Sequence, residues 1–213
     1  MDPLNKNQSG LYVAVEGGEG TGKSTAIAAI EGVIGECVLT REPGGTSLSE
    51  DVRHILQADG RHINPRSEFA LFWASRFAAI EEVVVANLEA GRSVISDRCA
   101  ASTWAYQVRA RELPELVEPF WSLWKILPRT PDLYVFLDLD PEEGLRRIFT
   151  NRLDEISRID REPPHFHHRV REGYREFFAA MPPEKVVTID ASRPREEVAE
   201  MVADAIRRFR API

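Results

Sequence analysis

The sequence predicts a single α/β domain built on a five-stranded parallel sheet that helices cover on both faces. Strand-like apolar runs alternate with helical patterns almost to the end of the chain, and such alternation is typical of a parallel sheet. The 213 residues suit one domain with a substantial core, and a glycine-rich stretch follows the first apolar run directly. We therefore expect one domain over residues 11–213, preceded by a flexible N-terminus over residues 1–10.

The strands are predicted where short apolar runs are bounded by turn residues. They are Leu11–Glu16, Cys37–Thr40, Ser93–Ser96, Leu133–Leu137 and Val186–Ile189. Between them, apolar residues recur three or four apart, which indicates helices. Two helices are predicted to begin at Pro65 and Pro141, and Asp140 supplies a capping carboxylate before the second. The charged stretch 151–164 breaks the apolar periodicity, so we predict a short lid there and not a linker between domains.

Composition argues against several classes of protein. The formal net charge of −7 disfavours nucleic acid as a partner. Cys37 and Cys99 are the two cysteines, which provide neither a disulfide framework nor metal-ligand spacing, and this usage fits a reducing compartment. Residues 1–10 lack the apolar stretch of a signal peptide, and no run is long and uncharged enough to span a membrane. We therefore expect a cytoplasmic protein that binds neither nucleic acid nor membrane.

A phosphate-binding loop follows the first strand. The stretch Gly17–Ser24 fits the pattern G-x-x-x-x-G-K-[ST] and lies between a strand and a helix, as such a loop must. Its glycines let backbone N–H groups point at a polyphosphate, Lys23 adds a positive charge for the β- and γ-phosphates, and the Ser24 hydroxyl can ligate Mg²⁺. The motif predicts the P-loop NTPase three-layer fold and a nucleoside triphosphate site. The predicted site comprises Gly17, Gly18, Glu19, Gly20, Thr21, Gly22, Lys23, Ser24 and Thr25.

Charged residues also follow the second and third strands. Arg41 and Glu42 come after the second strand, and Asp97 and Arg98 come at the end of the third. The carboxyl ends of parallel strands meet at one edge of the sheet, so we expect these side chains beside the phosphate loop. Asp97 suits direct or indirect Mg²⁺ coordination, and Arg98 suits bidentate binding of a phosphate.

Taken in order along the chain, these motifs resemble those of bacterial thymidylate kinases. The matching segments are Val15–Thr25, Arg41–Thr46, Ala70–Arg76, Asp97–Arg98 with Ser102–Gln107, Pro131–Pro141, Arg158–Asp160 and Phe166–Tyr174. The resemblance extends from Leu11 to about Ile206 and is weaker over 108–130. It implies an enzyme that phosphorylates dTMP to dTDP with ATP as co-substrate and Mg²⁺ as cofactor, and it implies a homodimer.

The resemblance implies base contacts for three residues. Phe72 would stack on the thymine ring, because a flat base needs an aromatic face as its partner. Arg76 would donate to a thymine carbonyl, and Gln107 would reach the edge of the base. Trp73 is bulkier than the family pattern beside Phe72, and Cys99 also departs from that pattern, so a modified or unmodified deoxyuridine monophosphate stays open as an alternative acceptor.

The resemblance also implies contacts with the sugar and phosphate of the acceptor. Arg98 would hold the monophosphate, Glu19 would accept a hydrogen bond from the 3′-hydroxyl, and Tyr106 would pack under the sugar and favour deoxyribose. Glu42 and Ser102 complete the predicted substrate-binding residues. Core packing is the alternative for Phe72 and Tyr106, since aromatic residues on helices are mostly buried.

The catalytic cations are predicted in the loop and the lid. Lys23 is the catalytic lysine, but the variable loop positions 18–21 contain no arginine. Members of the family place a catalytic arginine in the loop or in the lid, so the resemblance implies that Arg152 and Arg158 act here. A regulatory P-loop NTPase without any acceptor is the more distant alternative, and the roles of Trp121 and Trp124 are left open between core packing and a subunit contact.

Overall fold

Five parallel strands form one sheet in the order β2-β3-β1-β4-β5. The computed structural model describes residues 10–58, 62–151 and 156–211, so residues 1–9 of the predicted N-terminus lie outside the described residues. The strands are β1 (Tyr12–Glu16), β2 (Cys37–Arg41), β3 (Ser93–Asp97), β4 (Leu133–Asp138) and β5 (Val186–Asp190). The predicted five-stranded parallel sheet is confirmed, and each observed boundary lies within one residue of the predicted one.

Helices connect the strands. The α-helices are α1 (Lys23–Ile34), α2 (Ser47–Gln57), α3 (Pro65–Ala79), α4 (Ala86–Glu89), α5 (Ala100–Thr103), α6 (Val117–Lys125), α7 (Pro141–Asn151), α8 (Pro164–Ala179) and α9 (Arg195–Arg210). Wider π-helical turns continue α3 over Ile80–Val85 and α5 over Trp104–Ala110. The starts of α3 and α7 agree with the two first-turn prolines, and the side chain of Asn64 caps α3.

The side chains of β1 alternate between two cores, one on each face of the sheet. Val13 and Val15 pack in an aliphatic core that α1 and α9 complete. Ala14 packs in an aromatic core that α3, α6, α8 and the π-helical turn after α5 complete. Helices therefore cover both faces, as predicted. By the same alternation, Glu16 lies on the aromatic side.

The aromatic core includes the tryptophans whose roles the sequence left open. Trp73 is 2% exposed and packs edge-on against Phe120, with ring centroids 5.4 Å apart. Trp121 stacks on Phe177 at 5.8 Å, and Trp124 packs against the same core. All three therefore contribute to the core of this chain, and Trp73 points into that core.

The strand register brings the predicted motifs to one edge of the sheet. β1 pairs with β3 so that Val15 lies opposite Asp97, and β2 pairs with β3 so that Arg41 lies opposite the same residue. The phosphate loop and the segments after β2 and β3 are therefore neighbours, as expected for a parallel sheet. Within the described ranges, no helix is both long and apolar enough to cross a bilayer.

Candidate active site

The phosphate loop curls between β1 and α1 around the side chain of Lys23. Gly20 and Gly22 take φ values of 69° and 88°, which favour glycine, and a Cβ on Gly20 would collide with the backbone of Gly144 at the start of α7. The Lys23 ammonium donates to the carbonyl oxygens of Gly17 at 3.3 Å and Gly18 at 3.0 Å. Burial, and then the charge of nearby Arg98, lower the pKa of Lys23. The loop thus has the form that the motif predicts.

Arg98 reaches from the end of β3 to the same loop. Its Nη1 donates to the carbonyl oxygen of Gly17 at 3.2 Å, and its Nη2 donates to Glu19 Oε1 at 2.7 Å. The Tyr106 hydroxyl donates to that carboxylate oxygen at 2.7 Å. Burial alone would raise the pKa of Glu19, but Arg98, Lys23 and the bond from Tyr106 outweigh it and lower the pKa from 4.5 to about 2. Glu19 is therefore an anion between two cations.

Arg76 is a buried cation on α3 that contacts the segment following Arg98. It is 1% exposed, its Nε donates to Glu42 Oε2 at 2.7 Å, and its Nη2 donates to Thr103 Oγ1 at 2.9 Å and to the carbonyl oxygen of Cys99 at 3.2 Å. Within the described residues its Nη1 is buried without a hydrogen-bond partner. Buried donors are rarely left unpaired, so this nitrogen suits a carbonyl oxygen from a bound ligand.

Phe72 and Gln107, the other two predicted base contacts, differ in burial. Phe72 is partly exposed and lies outside the three buried clusters of the described residues, which favours a ligand contact over core packing. Gln107 is 3% exposed and lies on the π-helical turn after α5, next to Tyr106. Tyr106 contributes both to the core and to the site: its ring belongs to the aromatic core, and its hydroxyl donates to Glu19.

The residues predicted to hold Mg²⁺ fit that ion. Within the described residues, Asp97 Oδ1 is buried without a hydrogen-bond partner, and the negative charge of Asp97 is close enough to raise the pKa of Lys23. Ser24 is exposed in the first turn of α1. Within the described ranges, no three His, Cys, Asp or Glu side chains converge.

Arg158, one of the two predicted catalytic arginines, contacts α3 and not the phosphate loop. Its guanidinium pairs with Glu68, whose side chain is 2% exposed, while Arg158 itself is 45% exposed. Arg111 lies 3.8 Å from the same carboxylate and 2.6 Å from Glu162. Arg152, the other predicted catalytic arginine, lies outside the described residues.

Sequence reasoning missed three parts of the site. Glu16 and Tyr174 are fully buried beneath Arg98, and the only sequence signal was a carboxylate at the end of an otherwise apolar strand. A cleft of about 700 Å³ opens beside the phosphate loop between α7 and the segment after β5. Its lining includes Gly22, Ser24, Thr25, Arg147, Ala191 and Arg195. The segment after β5 carried no recognisable motif, although every other strand end did.

The chain has similar proteins over nearly its whole length. The family model described as thymidylate kinase matches residues 15–202. A thymidylate kinase from Geobacillus thermodenitrificans is 41% identical over 209 residues, which covers 94% of this chain and 92% of the relative. One from Halalkalibacterium halodurans is 40% identical (93% and 95% covered), and one from Clavibacter michiganensis is 38% identical (91% and 93% covered).

Proposed function

The chain belongs to the thymidylate kinase family, and from this premise we propose how its site phosphorylates dTMP to dTDP with ATP. One observation carries the proposal. Lys23 and Arg98 both donate to the carbonyl oxygen of Gly17, at 3.3 and 3.2 Å, although they come from different strand ends. Two cations that meet at one carbonyl can hold two phosphates in contact, one from the donor and one from the acceptor.

The triphosphate of ATP binds in the phosphate loop. Its β- and γ-phosphates accept hydrogen bonds from the loop N–H groups and from Lys23, at the N-terminus of α1. Its base and sugar enter the cleft between α7 and the segment after β5, which opens directly from the loop. The sequence motifs predicted where the triphosphate of ATP binds, but not where its base and sugar bind.

The acceptor lies on the opposite side of the loop. Arg98 binds its phosphate, and Glu19, held beside Arg98 and Tyr106, accepts a hydrogen bond from the 3′-hydroxyl. Arg76 donates to a carbonyl of the base through Nη1, which has no hydrogen-bond partner among the described residues, and this is the geometric support for a base that carries a carbonyl. Phe72 stacks on the ring, and Gln107 reaches its edge. Glu42 accepts a hydrogen bond from Arg76 and so positions that arginine for the base. Ser102 accepts one from Arg98 and so positions that arginine for the phosphate.

An oxygen of the acceptor phosphate attacks the γ-phosphorus in line, and the bond to the β-phosphate oxygen breaks. The attacking oxygen is already ionised at neutral pH, so no side chain has to remove a proton. Lys23 and the lid arginines Arg152 and Arg158 stabilise the charge that develops on the transferred group. Ser24 and Asp97 would hold Mg²⁺, which when bound neutralises charge on the phosphates.

Arg158 must leave Glu68 to take this role, because its guanidinium now lies on α3. The residues around 151–164 therefore act as a lid that closes over the bound nucleotides. Closure of this lid excludes water and brings Arg158 to the reacting phosphate. We also propose a homodimer, as the family resemblance implies, and a location in the cytoplasm, as the cysteine usage indicates. Light scattering at assay concentrations tests the dimer.

A panel of nucleoside monophosphates tests the acceptor. Release of ADP is measured with ATP and Mg²⁺ and each of dTMP, dUMP, AMP and GMP. We expect the highest kcat/KM with dTMP, as membership of the family implies, and a low value with AMP, because adenine has no carbonyl oxygen to accept from Arg76 Nη1. Equal rates with AMP or GMP would contradict the base contact. ATP turnover that is indifferent to every acceptor would favour a regulatory NTPase.

A further inference from the structure

Beneath Arg98 lies a buried polar cluster of Glu16, Ser102 and Tyr174. Glu16 ends β1, Ser102 lies on α5, and Tyr174 lies on α8, so the cluster joins three parts of the chain. Glu16 and Tyr174 are both 0% exposed. A carboxylate that water does not reach is costly unless donors surround it. The hydrogen-bond donors around Glu16 therefore show which parts of the site its buried charge holds in place.

Glu16 accepts four hydrogen bonds, and three of them come from the segment that follows Arg98. Its Oε1 accepts from the backbone N–H groups of Cys99 at 2.7 Å and Ser102 at 3.1 Å. Its Oε2 accepts from the hydroxyls of Ser102 at 2.7 Å and Tyr174 at 3.0 Å. These bonds anchor the turn in which Arg98 takes a φ of 73°, a left-handed conformation that is strained for a residue with a side chain.

The carboxylate also decides how the two hydroxyls face Arg98. Each hydroxyl has one hydrogen and two lone pairs, and the two hydroxyl oxygens lie 2.7 Å apart, so one hydroxyl donates to the other, which in turn donates to the anionic Oε2 of Glu16. The hydroxyl oxygens then accept from Arg98 Nη1, at 3.1 Å for Ser102 and 3.0 Å for Tyr174. A neutral amide in place of Glu16 would have to donate, which would turn a hydrogen toward the arginine.

These contacts leave one edge of the guanidinium for a ligand. Nη1 is used by Ser102, Tyr174 and the carbonyl oxygen of Gly17, and Nη2 donates to Glu19. Within the described residues, Nε has no hydrogen-bond partner. The edge formed by Nε and Nη2 is the one that binds a phosphate through two parallel hydrogen bonds.

We propose that Glu16 and Tyr174 are positioning residues, which fix the orientation of Arg98 so that its Nε edge faces the acceptor phosphate. The inference rests on the proposed function for the role of Arg98 itself. Neither residue touches the substrate. Both act through the arginine, Tyr174 by a direct bond and Glu16 by orienting the hydroxyls and the turn.

The variants Glu16→Gln and Tyr174→Phe test the proposal, because each keeps the size of the side chain. KM is measured separately for dTMP and for ATP. We expect KM for dTMP to rise about tenfold in both variants, with KM for ATP nearly unchanged, since Arg98 holds the acceptor phosphate alike in the ground and transition states. Tyr134→Phe on β4 is the matched control and should leave both values unchanged, because Tyr134 packs against Phe177 and Phe178.

A double-mutant cycle separates positioning from a general loss of structure. In an Arg98→Met background, Tyr174→Phe should raise KM for dTMP no further, since its hydroxyl no longer has the arginine to act on. Equal rises in both KM values, or the same rise with and without Arg98, would overturn the positioning role. A wild-type chain that phosphorylates no acceptor would instead overturn the proposed function. If another deoxynucleoside monophosphate is the better acceptor, the same variants are measured with it.

Discussion

The substitution Glu42→Gln measures how strongly a buried ion pair stabilises the base side of the site. The side chains of Arg76 and Glu42 are 1% and 5% exposed, and the Nε and Oε2 atoms lie 2.7 Å apart. Gln keeps the shape and one acceptor oxygen but removes the negative charge. Because an arginine does not lose its proton, Arg76 stays charged where water does not reach it.

Removing one partner of a buried pair destabilises a protein by about 3–5 kcal/mol. We expect the lower end, about 3 kcal/mol, because the amide still accepts from Nε, and Thr103 and Cys99 still accept from Nη2 of Arg76. In a domain of this size, each kcal/mol lowers Tm by about 2–4 °C, so Tm should fall by about 6–12 °C.

An exposed ion pair in the same region provides the control. Nη2 of Arg41 and Oε1 of Glu50 lie 2.9 Å apart, but the two side chains are 51% and 36% exposed. Such pairs contribute about 1 kcal/mol or less, so Glu50→Gln should lower Tm only slightly. Circular dichroism follows thermal unfolding of the wild type and both variants at neutral pH, and urea unfolding gives the free energies. If Glu42→Gln and Glu50→Gln lowered the free energy of unfolding by the same amount, the reasoning from burial would be refuted.

Three further predictions concern the phosphate side. The pKa of Glu19 is about 2 in the folded chain against an ordinary 4.5, so its carboxylate stabilises the fold above about pH 4.5 and loses that effect as pH falls toward 2. Glu19→Gln should therefore flatten the acid limb of stability against pH, and an unchanged slope would contradict the pairing with Arg98. Arg158→Ala should lower kcat by a larger factor than it raises KM for ATP, and an unchanged kcat would exclude a catalytic role. Asp97→Asn should raise the Mg²⁺ concentration for half-maximal rate about tenfold or more, and no change would remove Asp97 from the metal site.

The strands were predictable because their signal is local. A short apolar run bounded by turn residues can be recognised without its partners, and both ends of each of the five strands were predicted to within one residue. The phosphate loop was predictable for the same reason, since Gly17–Ser24 carries its glycines, lysine and hydroxyl in one continuous stretch. The contacts of Arg76 were only partly predictable, because the family pattern supplied a ligand contact but not the pair with Glu42, 34 residues away.

The buried polar contacts depended on long separations along the chain. Glu16 meets Ser102 across 86 residues and Tyr174 across 158, and no spacing rule connects such positions. Trp73 looked like an obstacle beside Phe72, but neighbouring residues on a helix point in different directions, and Trp73 enters the core. Arg158 is predicted to act at the phosphates, but its guanidinium pairs with Glu68 on α3, because a carboxylate that is 2% exposed needs a cation beside it.

The amino-acid sequence alone determined the parallel sheet, the loop for a triphosphate and the strand ends at which charged residues gather. These follow from backbone geometry, which a few adjacent residues specify. Only the tertiary structure decided which charges pair, because ion pairs and hydrogen bonds form between side chains that folding brings together. In this chain, these pairings place Arg98 against Tyr174 and Ser102, which Glu16 holds in turn. They also leave the buried Nη1 of Arg76 without a hydrogen-bond partner among the described residues.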